Sequence, residues 1–138
     1  MARSSFSAPR YAELQATTNY SFLRGASHPH ELVATAKALG LAGLAIADRN
    51  TLAGVVRAHV AAKEAGLRLA IGARLDIADA PSLVCLPRDR AAYGRLSRLL
   101  SLGQRRSEKG SCLITLADVV AHTDGQILIA LAPEDWCW

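Results

Sequence analysis

Leu-Ala-Ile-Ala-Asp-Arg-Asn-Thr-Leu-Ala-Gly, residues 44–54, changes from an apolar run to polar residues, and a helical pattern follows it directly. This order predicts a buried strand, a tight turn and a helix. In α/β folds the functional residues lie at the carboxyl ends of parallel strands. Asp48 and Arg49 are therefore expected where the active site of such a fold would lie.

On both sides of this segment, apolar runs alternate with helical patterns. Strands are predicted at residues 11–17, 42–47, 67–75, 83–86 and 126–131. Helices are predicted from near His28 to Gly40, over residues 52–65, after a cap at Asp89, and from Thr115 to about His122. The order β-α-β-α-β-β-α-α-β predicts an α/β fold with a mostly parallel sheet, or part of a barrel. A closed barrel usually has about 250 residues, so this chain of 138 residues would form an incomplete one.

Apolar residues at helical spacing predict the buried side of the three longer helices. These residues are Leu32, Val33, Ala36 and Leu39 in the first helix, Leu52, Val55, Val56 and Val60 in the second, and Tyr93, Leu96, Leu99 and Leu100 in the third.

Composition restricts the class of protein. Half of the residues (51%) are hydrophobic, which argues against disorder over most of the chain. No apolar run approaches the roughly 20 residues that span a bilayer. Residues 1–10 are polar and predict a flexible leader without a secretion signal. Three cysteines without metal-type spacing, Cys85, Cys112 and Cys137, indicate a reducing, cytoplasmic location.

The net charge of +4 comes largely from one region between residues 88 and 109. A cationic patch fits a nucleic-acid partner, although a solvated helix face and loop would have the same composition. The candidate contact residues are Arg88, Arg90, Arg95, Arg98, Arg105, Arg106 and Lys109.

Few residues suggest catalysis. His28 and His30 form an H-x-H pair, but Pro29 and Glu31 place the pair in a first helical turn, where side chains two apart point in different directions. The sequence has no Gly-rich phosphate loop, no G-x-S-x-G and no H-E-x-x-H. Asp48 stands alone at the central strand, so a structural role at the turn is favoured over catalysis.

Four stretches carry a resemblance to a known family. They are residues 13–27, 44–54, 70–75 and 89–96. The first two resemble the opening motifs of a PHP (polymerase and histidinol phosphatase) domain. Together, over about residues 11–133, the four are similar to error-prone C-family bacterial DNA polymerases, the mutagenic homologues of the polymerase III alpha subunit. The resemblance implies the N-terminal portion of a PHP domain over residues 11–138, with part of a distorted (β/α)7 barrel.

The resemblance also implies a metal cluster at the carboxyl ends of the strands, and the matching positions here are unusual. Gln15 and Thr17 stand where metal-bearing members have H-x-H, and their oxygens are poor ligands for transition metals. Guanidinium groups, which stay charged and do not coordinate, occupy three further positions. The complete set of vestigial positions is Gln15, Thr17, Arg24, Asp48, Arg49, Arg74 and Ser82. We expect that no metal binds at this site. The arginines are expected to form ion pairs with Asp48 or other acids, and to have a residual anion-binding role.

The function implied is that of a non-catalytic PHP module which supports the core of an error-prone translesion DNA polymerase in DNA repair and damage-induced mutagenesis. Its partners would be the rest of the polymerase polypeptide and, through it, DNA, the sliding clamp and mutagenesis accessory proteins, with no membrane. No cofactor is expected in this chain, because the catalytic Mg²⁺ of the polymerase would lie in a domain absent here. The alternatives are a metal-dependent PHP phosphoesterase or 3′-exonuclease, and a free-standing basic nucleic-acid-binding module.

Overall fold

The computed structural model describes residues 10–133. The strands are β1 (Ala12–Ala16), β2 (Gly43–Arg49), β3 (Leu69–Leu75), β4 (Leu83–Pro87) and β5 (Gln126–Ala130). The helices are α1 (Pro29–Ala38), α2 (Val55–Ala65), α3 (Arg90–Arg105) and α4 (Leu116–Ala121). The predicted order of elements is confirmed. Of the predicted leader only Arg10 is among the described residues, and Cys137 lies outside them.

All of these strands join one sheet in the order β1-β2-β3-β4-β5. β1, β2 and β3 pair in parallel, whereas β4 is antiparallel to both of its neighbours. Four of the five described strands run in the same direction, which agrees with the prediction, and β4 runs in the opposite direction. β3 and β4 are joined by residues 76–82 alone, and a connection this short cannot make the crossover that a parallel pair requires.

The long helices pack against one face of the sheet. Val33 of α1 and Ala58 and Ala62 of α2 contact Leu44 and Ile46 of β2 in one apolar cluster. A second cluster joins the middle of α3 to β3 and β4, and includes Leu75, Cys85, Leu96, Leu99 and Ile114. The opposite face holds a separate cluster whose buried residues, Ala45, Ala47, Val84 and Leu86, come from β2 and β4, with partly buried residues of β3 and β5 packed against them. The sheet is curled into an incomplete barrel.

The predicted buried side of α2 is partly wrong. Val56 and Val60 are 71% and 50% exposed, whereas Ala58 and Ala62 are buried. The buried positions of this helix follow the spacing i, i+3 and i+7 from Val55, and small alanines on that face allow α1 and α2 to approach closely. The prediction placed the larger apolar side chains, Val56 and Val60, on the buried side, and for these two residues it is wrong.

Two predicted buried residues in the other helices are also exposed. Leu39 follows the last turn of α1 and is 70% exposed, because the helix has already ended at Ala38. Tyr93 is 36% exposed, and Ala92 takes the buried position beside it. Among residues 10–133, no helix combines the length and the apolar character needed to cross a membrane.

The predicted caps are confirmed. The Asp89 side chain accepts a hydrogen bond from the Ala92 N–H at the start of α3. Thr115 and Asp118 form a capping box at the start of α4. Gly66 ends α2 with a left-handed backbone, φ 63°. These local signals fix the start of α3, the start of α4 and the end of α2.

Candidate functional site

The carboxyl ends of β1, β2 and β3 lie side by side, and three loops leave the sheet there. Arg49 ends β2 and is the direct neighbour of Arg74 on β3. Successive side chains of a strand point to opposite faces. Asp48 therefore points to the helix-covered face, while Arg49 and Arg74 point to the face that carries Ala47.

Asp48 is the centre of a buried hydrogen-bond network. It is 1% exposed. Its Oδ1 accepts from the Thr18 backbone N–H at 2.8 Å and from the Ser21 Oγ at 2.7 Å, and its Oδ2 accepts from the Thr18 Oγ1 at 2.8 Å. The Ser21 Oγ in turn accepts from the Arg49 N–H at 2.9 Å. Asp48 thus ties the loop after β1 to the end of β2, the structural role favoured from the sequence.

Gly54 lies close beside this network, where α2 begins. A Cβ at this position would lie 3.2 Å from Asp48 Oδ2 and 3.3 Å from Thr18 Oγ1. Sequence reasoning missed Thr18 and Ser21, although two hydroxyl residues three apart directly after a strand are a detectable signal of a side chain that binds the backbone.

Arg49 and Arg74 form ion pairs with Asp76, not with Asp48. The Nε of Arg49 donates to Asp76 Oδ2, and the Nε of Arg74 lies 3.3 Å from Asp76 Oδ1. Ser82 donates its hydroxyl to the same oxygen at 3.0 Å. Partial burial opposes ionisation of Asp76, but the hydrogen bonds from Arg49 and Ser82 and the charges of both arginines outweigh it, so its pKa lies below the ordinary value.

A small cavity of about 200 Å³ opens at this edge of the sheet. It is lined by Thr17, Arg24, Ala47, Arg49 and Arg74. Four of the vestigial positions therefore meet in one cavity. The remaining three do not line it: Ser82 contacts Asp76, Asp48 faces the other side, and Gln15 is exposed on β1.

A wider cleft of about 840 Å³ adjoins the small cavity, because Arg49 contributes to the walls of both. Its other walls include Tyr20, Phe22, Asp76 and Lys109. Phe22 is 84% exposed. Of the three arginines of the small cavity, Arg49 alone also lines this cleft.

The donor set at this edge does not fit a transition metal. Across the part of the chain that the structure describes, no three His, Cys, Asp or Glu residues are grouped closely enough to hold an ion. The imidazole rings of His28 and His30 stack with centroids 5.5 Å apart, so the expectation that they diverge is wrong. Stacked rings present faces to each other rather than converging nitrogens, and His28 Nδ1 lies 3.1 Å from the Asn19 amide.

Two of the basic residues between 88 and 109 are held in ion pairs with acidic residues. Arg95 pairs with Asp124 at 3.0 Å, and Arg106 pairs with Asp118 at 2.6 Å. Arg98 and Arg105 lie on the exposed side of α3 and line a shallow cavity with His122. The predicted nucleic-acid patch is therefore reduced by two ion pairs, and its contact with nucleic acid stays a prediction.

A family model described as the PHP domain matches residues 13–135. An error-prone DNA polymerase from Caulobacter vibrioides is 59% identical over 127 residues, which are 91% of this chain and 12% of that protein. Error-prone DNA polymerase 3 from Agrobacterium fabrum is 57% identical over 129 residues, 92% of this chain and 12% of that protein. The chain thus spans about 12% of the length of these curated relatives.

Two solved structures resemble the fold. A protein named as a metal-dependent phosphoesterase, from Bifidobacterium adolescentis, has a TM-score of 0.58 and 28% identity, and the match covers 82% of this chain and 43% of that one. An amidohydrolase from Chromobacterium violaceum, solved with bound sulfate and no metal, has a TM-score of 0.58 and 25% identity, and covers 68% and 33% of the two chains.

Proposed function

The chain belongs to the PHP domain family, and from this we propose that it is a non-catalytic PHP module of an error-prone translesion DNA polymerase. In this role it supports the polymerase core structurally and takes no part in the chemistry. The relatives that it resembles over 91% and 92% of its length carry the name error-prone DNA polymerase, which supports the parent activity. DNA repair and damage-induced mutagenesis are the processes that such a parent would serve.

The observation that carries the proposal is the pairing of Arg49 and Arg74 on adjacent strands, with Asp76 bound between them. Guanidinium groups remain protonated in proteins and offer no lone pair to a metal. Two such cations at neighbouring positions repel a divalent ion, and the carboxylate that could attract it is already paired. A hydrolytic centre with this donor set lacks both a Lewis acid and a metal-bound nucleophile.

The Asp48 network supports the structural side of the proposal. Both oxygens of Asp48 accept hydrogen bonds from Thr18 and Ser21, so this carboxylate binds groups of the loop after β1. This carboxylate holds two loops together. A module of this kind presents a fixed surface to the remainder of its polypeptide.

The partners in this proposal are those of the parent polymerase. They are the rest of the polypeptide, DNA, a sliding clamp and mutagenesis accessory proteins, all in the cytoplasm. Mg²⁺ would be required by the polymerase centre, which lies in the parent outside these residues.

A second candidate is a metal-dependent phosphoesterase, because a solved protein of similar fold carries that name. The cationic cavity argues against it. A third candidate, a basic nucleic-acid-binding module, rests on Arg98 and Arg105 on the exposed side of α3. Binding through such residues would weaken steeply with added salt.

Hydrolysis assays on the purified chain test the proposal. We expect no release of nitrophenol from bis(p-nitrophenyl) phosphate and no shortening of a 3′-labelled oligonucleotide with Mn²⁺, Zn²⁺ or Mg²⁺ added. Turnover that depends on metal and is lost in Asp48→Asn would overturn the non-catalytic assignment. In the parent polypeptide, Asp48→Ala should lower the melting temperature and the yield of folded polymerase, while Asp124→Ala, at a side chain that is 88% exposed, should leave primer extension unchanged.

A further inference from the structure

We propose that the cavity lined by Arg24, Arg49 and Arg74 binds a phosphate-class oxyanion, so that the site has exchanged a cationic ligand for an anionic one. This inference rests on the proposed function, because it requires that no metal occupies the site. The ligand class is a phosphate dianion, either free or as a terminal monoester.

Charge is the first reason. Arg49 and Arg74 are direct neighbours on parallel strands, and like charges in that arrangement destabilise a sheet. Asp76 supplies one carboxylate to both. Arg24 lines the same cavity, and it forms no ion pair with any described residue. Three guanidinium groups therefore face a single carboxylate, and a dianion would balance them.

Geometry is the second reason. The three arginines come from separate segments: the loop after β1, the end of β2 and β3. All three line the same cavity, and the forked donors of guanidinium groups suit the oxygens of a phosphate. Each arginine on the strands commits its Nε to Asp76, which leaves the terminal nitrogens for another acceptor.

Size and access are the third reason. The cavity volume of about 200 Å³ is several times the roughly 30 Å³ share of one water molecule, which leaves room for a tetrahedral oxyanion. The side chains of Arg49 and Arg74 are 44% and 45% exposed, so a ligand reaches them without rearrangement. The adjoining cleft, which shares Arg49 with the cavity and has exposed Phe22 in its wall, offers space for the remainder of a molecule that carries the phosphate.

Calorimetric titration of the full chain with inorganic phosphate, in a buffer free of phosphate and sulfate, tests the site. We expect saturable binding at one site per chain. Arg24→Ala should weaken binding by about tenfold or more, since each charge-assisted contact to a phosphate contributes strongly. Arg24 is exposed and makes no ion pair with described residues, so this variant should fold. Arg98→Ala, which removes an equally exposed arginine on α3, is the matched control and should bind as the wild type does.

Two results would overturn the inference. One is the absence of saturable phosphate binding, and the other is equal loss in Arg24→Ala and Arg98→Ala, which would indicate a general charge effect. The hydrolysis assays report on the proposed function independently, so failure of anion binding is distinguishable from failure of the non-catalytic assignment. A second titration identifies the source of the phosphate. A 5′-phosphorylated oligonucleotide that binds more tightly than its dephosphorylated form assigns the cavity to a strand end, and equal affinity of the two assigns it to free phosphate.

Discussion

Replacement of Asp48 by alanine should destabilise the chain far more than replacement of any exposed acid. The side chain is 1% exposed and accepts three hydrogen bonds. Removing it leaves the Thr18 N–H, the Thr18 hydroxyl and the Ser21 hydroxyl without their acceptor. The loop after β1 then loses its attachment to β2.

The magnitude follows from the three orphaned donors. A buried donor without an acceptor costs about 1–3 kcal/mol, and removing the buried carboxylate returns part of this cost because an ion no longer has to be desolvated. We expect Asp48→Ala to lower the free energy of unfolding by about 3–5 kcal/mol, a large fraction of the 5–15 kcal/mol typical of a domain. Asp48→Asn keeps one acceptor oxygen and should lower the free energy of unfolding by about half as much.

Urea denaturation followed by far-UV circular dichroism measures this difference, provided that the slope with denaturant stays unchanged. Asp124→Ala is the control, because the side chain of Asp124 is 88% exposed and pairs only with Arg95 in the described structure. Its effect should stay below about 1 kcal/mol. An Asp48→Ala variant within about 0.5 kcal/mol of wild type would refute the structural role and return Asp48 to the list of candidate ligands.

Three further predictions concern parts of the fold away from Asp48. Gly72→Ala should destabilise by about 1–3 kcal/mol or more, because its Cβ would lie 2.3 Å from a backbone carbonyl oxygen of β4, whereas Gly94→Ala meets nothing within 4 Å and should stabilise α3 by about 0.5–1 kcal/mol. Thermal melts of the two variants should therefore shift in opposite directions, and parallel shifts would contradict the packing. Thr115→Ala should cost about 1 kcal/mol through loss of the α4 cap, measured as a lower urea midpoint. Hydrogen bonds from the Thr115 backbone and from Arg106 hold the pKa of Asp118 at about 2, below its ordinary 3.8. The stability that this group contributes is present above pH 3.8 and is lost as the pH falls towards 2, so acid titration of Asp118→Asn should show a shallower loss of stability than that of wild type over this range.

Local signals allowed much of the fold to be predicted. Asp89, Thr115 and Gly66 act within one turn of the chain, and each marks a helix end as expected. The prediction of which face of α2 is buried was partly wrong, because the buried side depends on how closely α1 approaches. That contact favours Ala58 and Ala62 over larger valines, and no local pattern encodes it.

The expectation that the arginines pair with Asp48 or other acids is met by Asp76, but the sequence did not show which acid it would be. The resemblance to the PHP family placed Arg49 and Arg74 at the same edge of the sheet, as the structure has them. Their partner is Asp76 rather than Asp48, because alternation along β2 sends Asp48 and Arg49 to opposite faces. That distinction depends on the register between β2 and β3, which pairs Asp48 with Ala73 and Arg49 with Arg74.

Metal content measured by plasma mass spectrometry tests the central claim most directly. The purified chain would be incubated with zinc and manganese, and excess ions removed before measurement. A cavity lined by guanidinium groups should retain less than about 0.1 metal ion per chain, an occupancy that indicates that no metal site is present. One or more ions retained per chain, and lost in Asp48→Ala or in a His28→Ala/His30→Ala variant, would contradict the account and identify a working metal centre.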